Sequence, residues 1–248
     1  MNTSFTTAVV SACLLGAVWI GMRLRRLLPE AHLSADSRDT VKLAMGLVAT
    51  MSALLLGLLV NSAKTFYDTT RIQVMQVASR YALLDRLLGI YGPPAAEVRG
   101  ELHALIEEST RLMWPDLRAP SAPRPGIGDA FYADLLRLEA RDDTERTLKT
   151  QAASLTIEIG EVRTLMRAES TPSISRPMLI VVVLWLVMVF VGFSLIAPSN
   201  ATASFALAAS ALCVSGAIFL ILELNRPFDG LMRISSEPMR KVLLPFGK

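Results

Sequence analysis

The chain has 248 residues, of which 52% are hydrophobic and only 19% are charged. Soluble globular domains seldom average so apolar, so the composition favours a membrane protein. The net charge of +3, from 25 basic and 22 acidic residues, does not indicate nucleic acid as a partner, because the basic residues form no dense block.

Four apolar runs follow in chain order: Phe5–Met22, Leu43–Val60, Met178–Ile196 and Phe205–Leu224. Each is close to the roughly 20 residues that a helix needs to cross about 30 Å of hydrocarbon. A backbone in lipid must satisfy its own hydrogen bonds, so each run is predicted to be a helix. The first run is followed, not preceded, by basic residues ("RLRR"). This order is the reverse of a signal peptide and predicts a retained span.

The segment between the second and third runs, residues 61–177, is polar, charged and helical in period. The second helix is predicted to continue out of the membrane until Gly92-Pro93-Pro94 stops it. The next helix is predicted from an apolar face and ends at Trp114-Pro115. That face consists of Val98, Leu102, Leu105, Ile106, Ser109, Leu112 and Met113. A Pro- and Gly-rich connector over residues 115–128 is predicted to be extended.

A further helix is predicted to begin near Phe131, with Asp129 as its cap. Beyond it lies a coiled-coil-like seam, formed by Leu148, Ala152, Leu155, Ile159, Val162 and Met166. Two partners for this seam are open. One is the helical pair within residues 62–113, which would give an antiparallel bundle, and the other is the same helix of a neighbouring subunit. The short link "APSNATAS" predicts that the last two spans form a tight hairpin.

These patterns predict an all-α fold with four transmembrane helices in two hairpins and an extramembrane helical bundle between spans two and three. The first hairpin covers residues 1–60 and the bundle residues 61–177. The second hairpin covers residues 178–224, and an interfacial C-terminal tail covers residues 225–248.

Reactive side chains are scattered. Cys13 and Cys213 lie in apolar runs, where thiols are usually buried packing residues, and His32 and His103 are isolated from each other and from any acidic or Cys cluster. No nucleophile elbow, phosphate-binding glycine loop or carboxylate pair is evident. We therefore expect a protein that is not an enzyme and that has no metal or other cofactor.

A stripe of small residues marks the second span and continues into basic residues. Its members share one helix face: Ala49, Ala53, Gly57, Asn61, Lys64 and Arg71. Small residues let helices approach closely in lipid, so the stripe either packs within the chain or surrounds the axis of an oligomer, with Asn61 at a pore mouth. The fourth span carries a similar stripe of Ala209, Cys213 and Ala217, with Gly216 beside it.

The fourth span ends in polar residues. A carboxylate at a membrane edge needs water or a cation, so Glu223 is predicted to pair with Lys64 or Arg71. A sharp turn at Pro227 and Gly230 is predicted to fold Phe228 back to the interface.

Ser235 or Ser236 is predicted to cap a short helix with Pro238 in its first turn. That helix would lie along the lipid headgroups with its apolar side, which is formed by Met239, Val242 and Leu243.

Three segments resemble a bacterial bestrophin-like family of four-span membrane proteins of unknown function. They are "GLLVNSAKTFYDTTRIQVMQVASRYALLDRLL", "LMWPDL" and "ELNRPFDGLMRISSEPMR". The motif residues are Trp114, Pro115, Glu223, Arg226, Pro227, Phe228, Gly230, Ser236, Glu237 and Pro238. A wider similarity to bestrophins, which are pentameric anion channels with the second helix lining the pore, follows residues 61–80. Thr69-Thr70 stands where many bestrophins have two aromatic residues.

The resemblance implies a homo-oligomeric ion channel in the lipid bilayer, with Asn61, Lys64 and Arg71 selecting anions. The alternative is a membrane-anchored helical scaffold or sensor that binds a protein partner through residues 62–176. Arg23, Arg25 and Arg26 after the first span favour a cytoplasmic first loop. The larger number of basic residues on the other side, and the resemblance, favour cytoplasmic termini and a cytoplasmic middle domain at a bacterial inner membrane.

Overall fold

The computed structural model describes residues 3–27, 35–114, 126–169, 176–198 and 200–243, and nearly all of them are helical, with no strand among them. The helices are α1 (Thr3–Leu27), α2 (Ala35–Tyr91), α3 (Ala96–Met113), α4 (Ile127–Arg137), α5 (Asp143–Ala168), α6 (Arg176–Ile196), α7 (Ala201–Leu224) and α8 (Glu237–Leu243), with a 3₁₀ turn at Pro93–Ala95. The predicted all-α class is confirmed. His32, Pro115 and most of the 115–128 connector lie outside the described residues.

Four of the described helices are long and apolar enough to cross a membrane. They are α1, α6, α7 and the part of α2 that contains the run Leu43–Val60. Large apolar side chains on these helices point outward, including Phe205 at 75% exposure and Leu184 at 57%. Lipid tails are a suitable environment for such a surface.

The chain divides into two compact units. The first comprises residues 1–67 and 172–226, and the second residues 68–171 and 227–248. In the first unit α1 packs against both α6 and α7. Its core includes Leu14, Val182 and Ile218, with Leu59 and Ala63 of α2 in the same cluster.

The last two spans differ from the tight hairpin that their short link predicts. Helices α6 and α7 are joined by only a few residues, but each packs more extensively on α1 than on the other. Two glycines allow helices of this unit to approach closely, α1 to α6 and α6 to α2. A Cβ added at Gly21 of α1 would lie 2.5 Å from Ser194 Cβ on α6, and one added at Gly192 would overlap the side chain of Met45.

In the second unit, α3 packs against α4 and α8, and α4 packs against α5. The apolar face predicted for α3 is buried at Val98, Leu102, Leu105 and Ile106, whereas Leu112 is 38% exposed. Helix α4 begins at Ile127 with Gly126 as its N-cap. Asp129 therefore lies inside the first turn. The prediction that Asp129 caps this helix is wrong.

Helix α5 runs antiparallel to the second-unit part of α2, as three contacts between side chains show. Arg80 Nε lies 3.1 Å from Glu158 Oε2, Gln73 Nε2 donates to Glu169 Oε2 at 2.8 Å, and Arg163 Nη1 donates to the Tyr81 hydroxyl at 3.3 Å. Of the predicted seam, Ala152 and Ile159 are buried and the other four members are half-buried. The seam therefore has a partner within its own chain.

The closing segment returns to the end of α3. The Trp114 indole donates from Nε1 to the Ile234 carbonyl at 2.7 Å, and its ring meets the Phe228 ring edge-on with centroids 5.4 Å apart. The Ile234 amide donates to the Pro227 carbonyl at 2.7 Å. Gly230 turns the chain between them at a φ of 100°, where a residue with a Cβ would be strained.

This packing corrects two expectations for the tail. Phe228 contacts Trp114 instead of folding back to the membrane interface. Met239 and Val242 are 0% and 4% exposed, and α8 packs on α3. The apolar side of α8 therefore faces protein and not lipid headgroups. The predicted first turn is present, because Glu237 N donates to Ser235 Oγ at 3.1 Å and Pro238 follows.

Candidate pore-lining face

One face of α2 points away from the rest of the described chain. Ala53, Gly57, Asn61, Lys64 and Arg71 are exposed, whereas Ala49 is half-buried. The opposite side of the helix is buried. Its buried members include Ser52, Leu59, Ala63, Val74, Val77 and Tyr81. The polar and small residues of the predicted stripe thus lie on the surface of a single subunit.

The exposure of this face helps to choose between two interpretations of the stripe: packing within the chain, or a position around the axis of an oligomer. A Cβ added at Gly57 would meet no atom within 4 Å, so the glycine serves no close approach to the described part of the chain. The described residues therefore do not support packing within the chain. A role of the stripe at an oligomer axis stays a prediction.

The exposed face of α2 is also apolar within the second unit. Ile72, Met75, Leu83 and Ile90 are 54%, 53%, 47% and 60% exposed. An apolar surface of this kind marks a site of interaction when it lies in water.

The similar stripe on α7 is not the packing face of that helix. Its members Ala209 and Ala217 are half-buried and Cys213 is exposed. The buried face of α7 consists of Ala211, Ser215, Ile218, Ile221 and Glu223. Cys13 on α1 is exposed as well, so neither thiol is the buried packing residue that its apolar surroundings suggested.

The polar end of α7 is partly internal. Glu223 is 4% exposed, and Arg226 Nη1 donates to Thr3 Oγ1 at 3.3 Å. The predicted pairing of Glu223 with Lys64 or Arg71 stays a prediction.

Three polar side chains in the second unit form a cluster that sequence reasoning missed. Asp85, whose side chain is 3% exposed, accepts from Arg99 Nε at 2.7 Å and from Arg99 Nη2 at 2.8 Å. His103 Nε2 lies 2.7 Å from Asp85 Oδ1. The sequence placed His103 away from any acidic or Cys cluster, and the structure adds one carboxylate, that of Asp85, as its neighbour.

The cluster affects the ionisation of Asp85, which lies well beyond the apolar part of α2. Burial raises the pKa of this carboxyl, but the hydrogen bonds and positive charges of Arg99 and His103 outweigh burial and hold it below its ordinary value of 3.8. Nearby, burial raises the pKa of Glu101, and the neighbouring carboxylates of Asp134 and Glu97 raise it further. The same bundle thus holds one carboxyl ionised and discourages ionisation of another.

The match to known proteins covers nearly the whole chain. Residues 12–239 match the model of the bestrophin-like domain. The chain belongs to the bestrophin-like family. A comparison with curated proteins finds no match.

Two crystal structures resemble this bestrophin-like chain. Both are of a bacterial bestrophin homologue from Klebsiella pneumoniae, each with one mutation. One has a TM-score of 0.65 and covers 98% of this chain and 97% of its own, and the other has a TM-score of 0.62 and covers 96% of each. Sequence identity is 15% in both cases, so the similarity shows a shared fold.

The fold brings residues of two separate motif segments into contact. Trp114 comes from "LMWPDL" and Phe228 from the closing segment, and the two rings are in contact. Glu237 of the closing segment pairs with Lys241 at 2.8 Å one helical turn later. These motif residues therefore have structural partners in the second unit.

Proposed function

We propose that this bestrophin-like protein is one subunit of a homo-oligomeric ion channel, in which the exposed face of α2 lines a central path. The observation that carries the proposal is the exposure of Gly57, Asn61, Lys64 and Arg71 on one face, opposite a buried one. Membership of the bestrophin-like family supports the same conclusion.

The apolar residues on α2 in the second unit support assembly. Lipid can cover the outward leucines of the membrane-spanning part, but the face at Ile72, Met75, Leu83 and Ile90 belongs to a polar bundle. Exposing this face to water is unfavourable at about 25 cal/mol for each Å² of apolar surface. In a symmetric ring, the neighbouring subunit covers part of this face.

The charges on this face favour anions. Lys64 and Arg71 are exposed, and Asp68 between them is half-buried, which leaves a net charge of +1 for each subunit. A ring of subunits repeats that charge around the path, and rings of basic side chains select for anions. Asn61 adds an amide that can donate to an ion.

The proposed setting is a bacterial inner membrane, with the termini and the middle domain in the cytoplasm. Basic residues near the membrane ends are more numerous on that side, although Arg23, Arg25 and Arg26 lie on the other. Cysteine labelling of intact cells at Asn200, in the link between α6 and α7, would check this orientation.

The test is ion flux in liposomes that contain the purified protein. Wild type should release chloride faster than empty vesicles, and Lys64→Glu should lower the permeability of chloride relative to potassium several-fold. The matched control is Arg137→Glu, which reverses an exposed charge on α4 and should leave selectivity unchanged. Absence of flux from a confirmed oligomer would contradict the channel and favour a scaffold.

Assembly is tested independently by cross-linking. In a background without Cys13 and Cys213, Gly57→Cys should form disulfide-linked dimers, because copies of α2 meet near the axis. Phe205→Cys on α7 is also exposed but should stay monomeric. Equal cross-linking at both positions would indicate random collision and count against a ring around α2.

A further inference from the structure

A polar cavity of about 570 Å³ lies at one end of the first unit, where α1 and α6 end and α7 begins. Its polar lining comes from Arg25 and Arg26 of α1, Ser194 of α6, and Asn200 and Ser204 at the start of α7. The described lining residues include no carboxylate. Three helix ends thus enclose a space that carries positive charge.

Ser194 is the most unusual residue in this cavity. It is 1% exposed, yet its hydroxyl has no hydrogen-bond partner among the described residues. Other buried serines of the same unit behave differently, because Ser52 and Ser215 donate to the carbonyls of Val48 and Ala211 in their own helices. A buried hydroxyl without a partner costs about 1–3 kcal/mol, so a group that bonds Ser194 inside the cavity would be stabilised there.

Arg25 supplies a second polar group that lacks a partner in the described part of the chain. Its Nη1 atom is buried and makes no hydrogen bond there, and Arg26 beside it is exposed. The carbonyl end of α1 offsets only about half of one positive charge. The remaining charge calls for an anion that can accept from a guanidinium.

The start of α7 adds backbone donors. Asn200 caps the helix by accepting from the Ala203 amide at 2.8 Å. The first N–H groups of a helix have no partner within it, and the N-terminus carries a partial positive charge that favours phosphate-type anions. Ala201, the first residue of α7, lines the cavity.

The cavity lies at the boundary of the apolar spans, because α1 ends at Leu27, α6 ends at Ile196 and α7 begins at Ala201. Trp19, 55% exposed, lies two turns earlier on α1 with the Arg23 guanidinium 4.8 Å from its ring centroid. Exposed tryptophan beside arginine is typical of the headgroup level of a membrane.

We infer that this cavity binds a phosphate group, which accepts hydrogen bonds from Arg25, Ser194 and the first amides of α7. The phosphate comes either from the headgroup of an anionic phospholipid or from inorganic phosphate in solution. The site is separate from the α2 face, so this inference does not depend on whether the protein conducts ions.

The experiment measures the thermal midpoint of the full-length protein in lipid nanodiscs. Phosphatidylglycerol replaces phosphatidylcholine in one arm, and inorganic phosphate is added to phosphatidylcholine discs in the other. Wild type should melt several degrees higher in one arm, with half-saturation weakened at least tenfold by Arg25→Gln and by Ser194→Ala. Arg25→Lys, which keeps the charge but not the planar fork, should be intermediate.

The controls distinguish a specific binding site from non-specific electrostatic attraction of anions to the protein. Arg23→Gln removes a neighbouring charge outside the cavity, and Ser215→Ala removes a buried hydroxyl that already has a partner. Both should respond as wild type does. Stabilisation by phosphatidylglycerol alone identifies a lipid, and stabilisation by inorganic phosphate identifies a soluble anion. No stabilisation in either arm, or equal loss in Arg23→Gln and Arg25→Gln, overturns the site.

Discussion

Each of the two units is stabilised internally by a different kind of interaction. In the first unit, apolar side chains of α1, α6 and α7 interlock, and Gly21 allows two helices to approach closely. In the second unit, polar groups connect separate segments: Asp85 of α2 binds Arg99 of α3, and the Tyr91 hydroxyl donates at 2.9 Å to the carbonyl of Glu139, in the link between α4 and α5.

The difference follows from the two solvents. Lipid tails are as apolar as leucine, so helices in a membrane gain little from burying leucine and depend on close packing. In water, burial of apolar surface drives association without specifying which helices meet. Directed hydrogen bonds and ion pairs add that specificity, and each buried group left without its partner is costly.

The largest effect is expected at Trp114, which carries both kinds of stabilisation in the second unit. Trp114→Ala removes a ring that is 3% exposed, its contact with Phe228 and its hydrogen bond to Ile234. The loss should be about 3–5 kcal/mol. Hydrogen–deuterium exchange should rise across residues 227–243 while α1 and α6 keep their protection.

Trp19→Ala is the matched control, because this tryptophan is 55% exposed on α1. It should leave exchange in the second unit unchanged. Equal deprotection of α6 by Trp114→Ala would mean that the two units unfold as one, and the contrast between them would fail.

A smaller effect is expected from Asp85→Asn, which removes the charge that holds Arg99 and His103 together. The variant should lose about 1.5–3 kcal/mol at neutral pH, because hydrogen bonds to a charged group are the stronger kind. The pKa of Asp85 is lowered in the folded protein, so its stabilisation is present above the ordinary value of 3.8 and is lost as the pH falls through the folded value. Denaturant unfolding at several pH values should show the variant and wild type converging in acid.

Asp143→Asn serves as the comparison, since the Asp143–Arg146 pair is exposed, at 99% and 73% of the two side chains. Its cost should stay within about 1 kcal/mol and vary little with pH. A pH-independent loss in Asp85→Asn would show that the residue acts through packing and not through its charge.

Sequence predicted the helices well because their signals are local. The apolar runs, the period of α3 and the break at Gly92 depend on residues close together in the chain. The tail was misplaced for a physical reason: the apolar side of α8 at Met239 and Val242 suits lipid and protein equally, and only the fold shows which one it meets.

The Asp85 cluster was harder to find. Arg99 and His103 are four residues apart and share one face of α3, which was a usable signal. Their partner, however, depends on the register between α2 and α3, and that register is set by the turn at Gly92 and by packing along both helices. The exposure of the α2 face could not be predicted from the sequence either, because small residues at four-residue spacing suit packing within a chain or between chains.

The smallest of these effects concerns the close helix packing of the first unit. Gly21→Ala places a methyl group 2.5 Å from Ser194 Cβ and 2.8 Å from the Val191 carbonyl oxygen. The helices α1 and α6 must then separate, at an expected cost of about 1–3 kcal/mol. Exchange should rise in α6 and stay unchanged in the second unit, the reverse of the Trp114→Ala pattern.

Gly16→Ala on the same helix is the matched control. A Cβ at Gly16 would meet nothing within 4 Å, so this variant changes the backbone preference for helix without crowding a neighbour. Alanine favours the helix by up to about 1 kcal/mol, so this variant should be neutral or more stable. If both variants gained stability, the close approach at Gly21 would not hold α1 against α6. Apolar burial would then account for the first unit as it does for much of the second, and the two units would differ only in their buried charges.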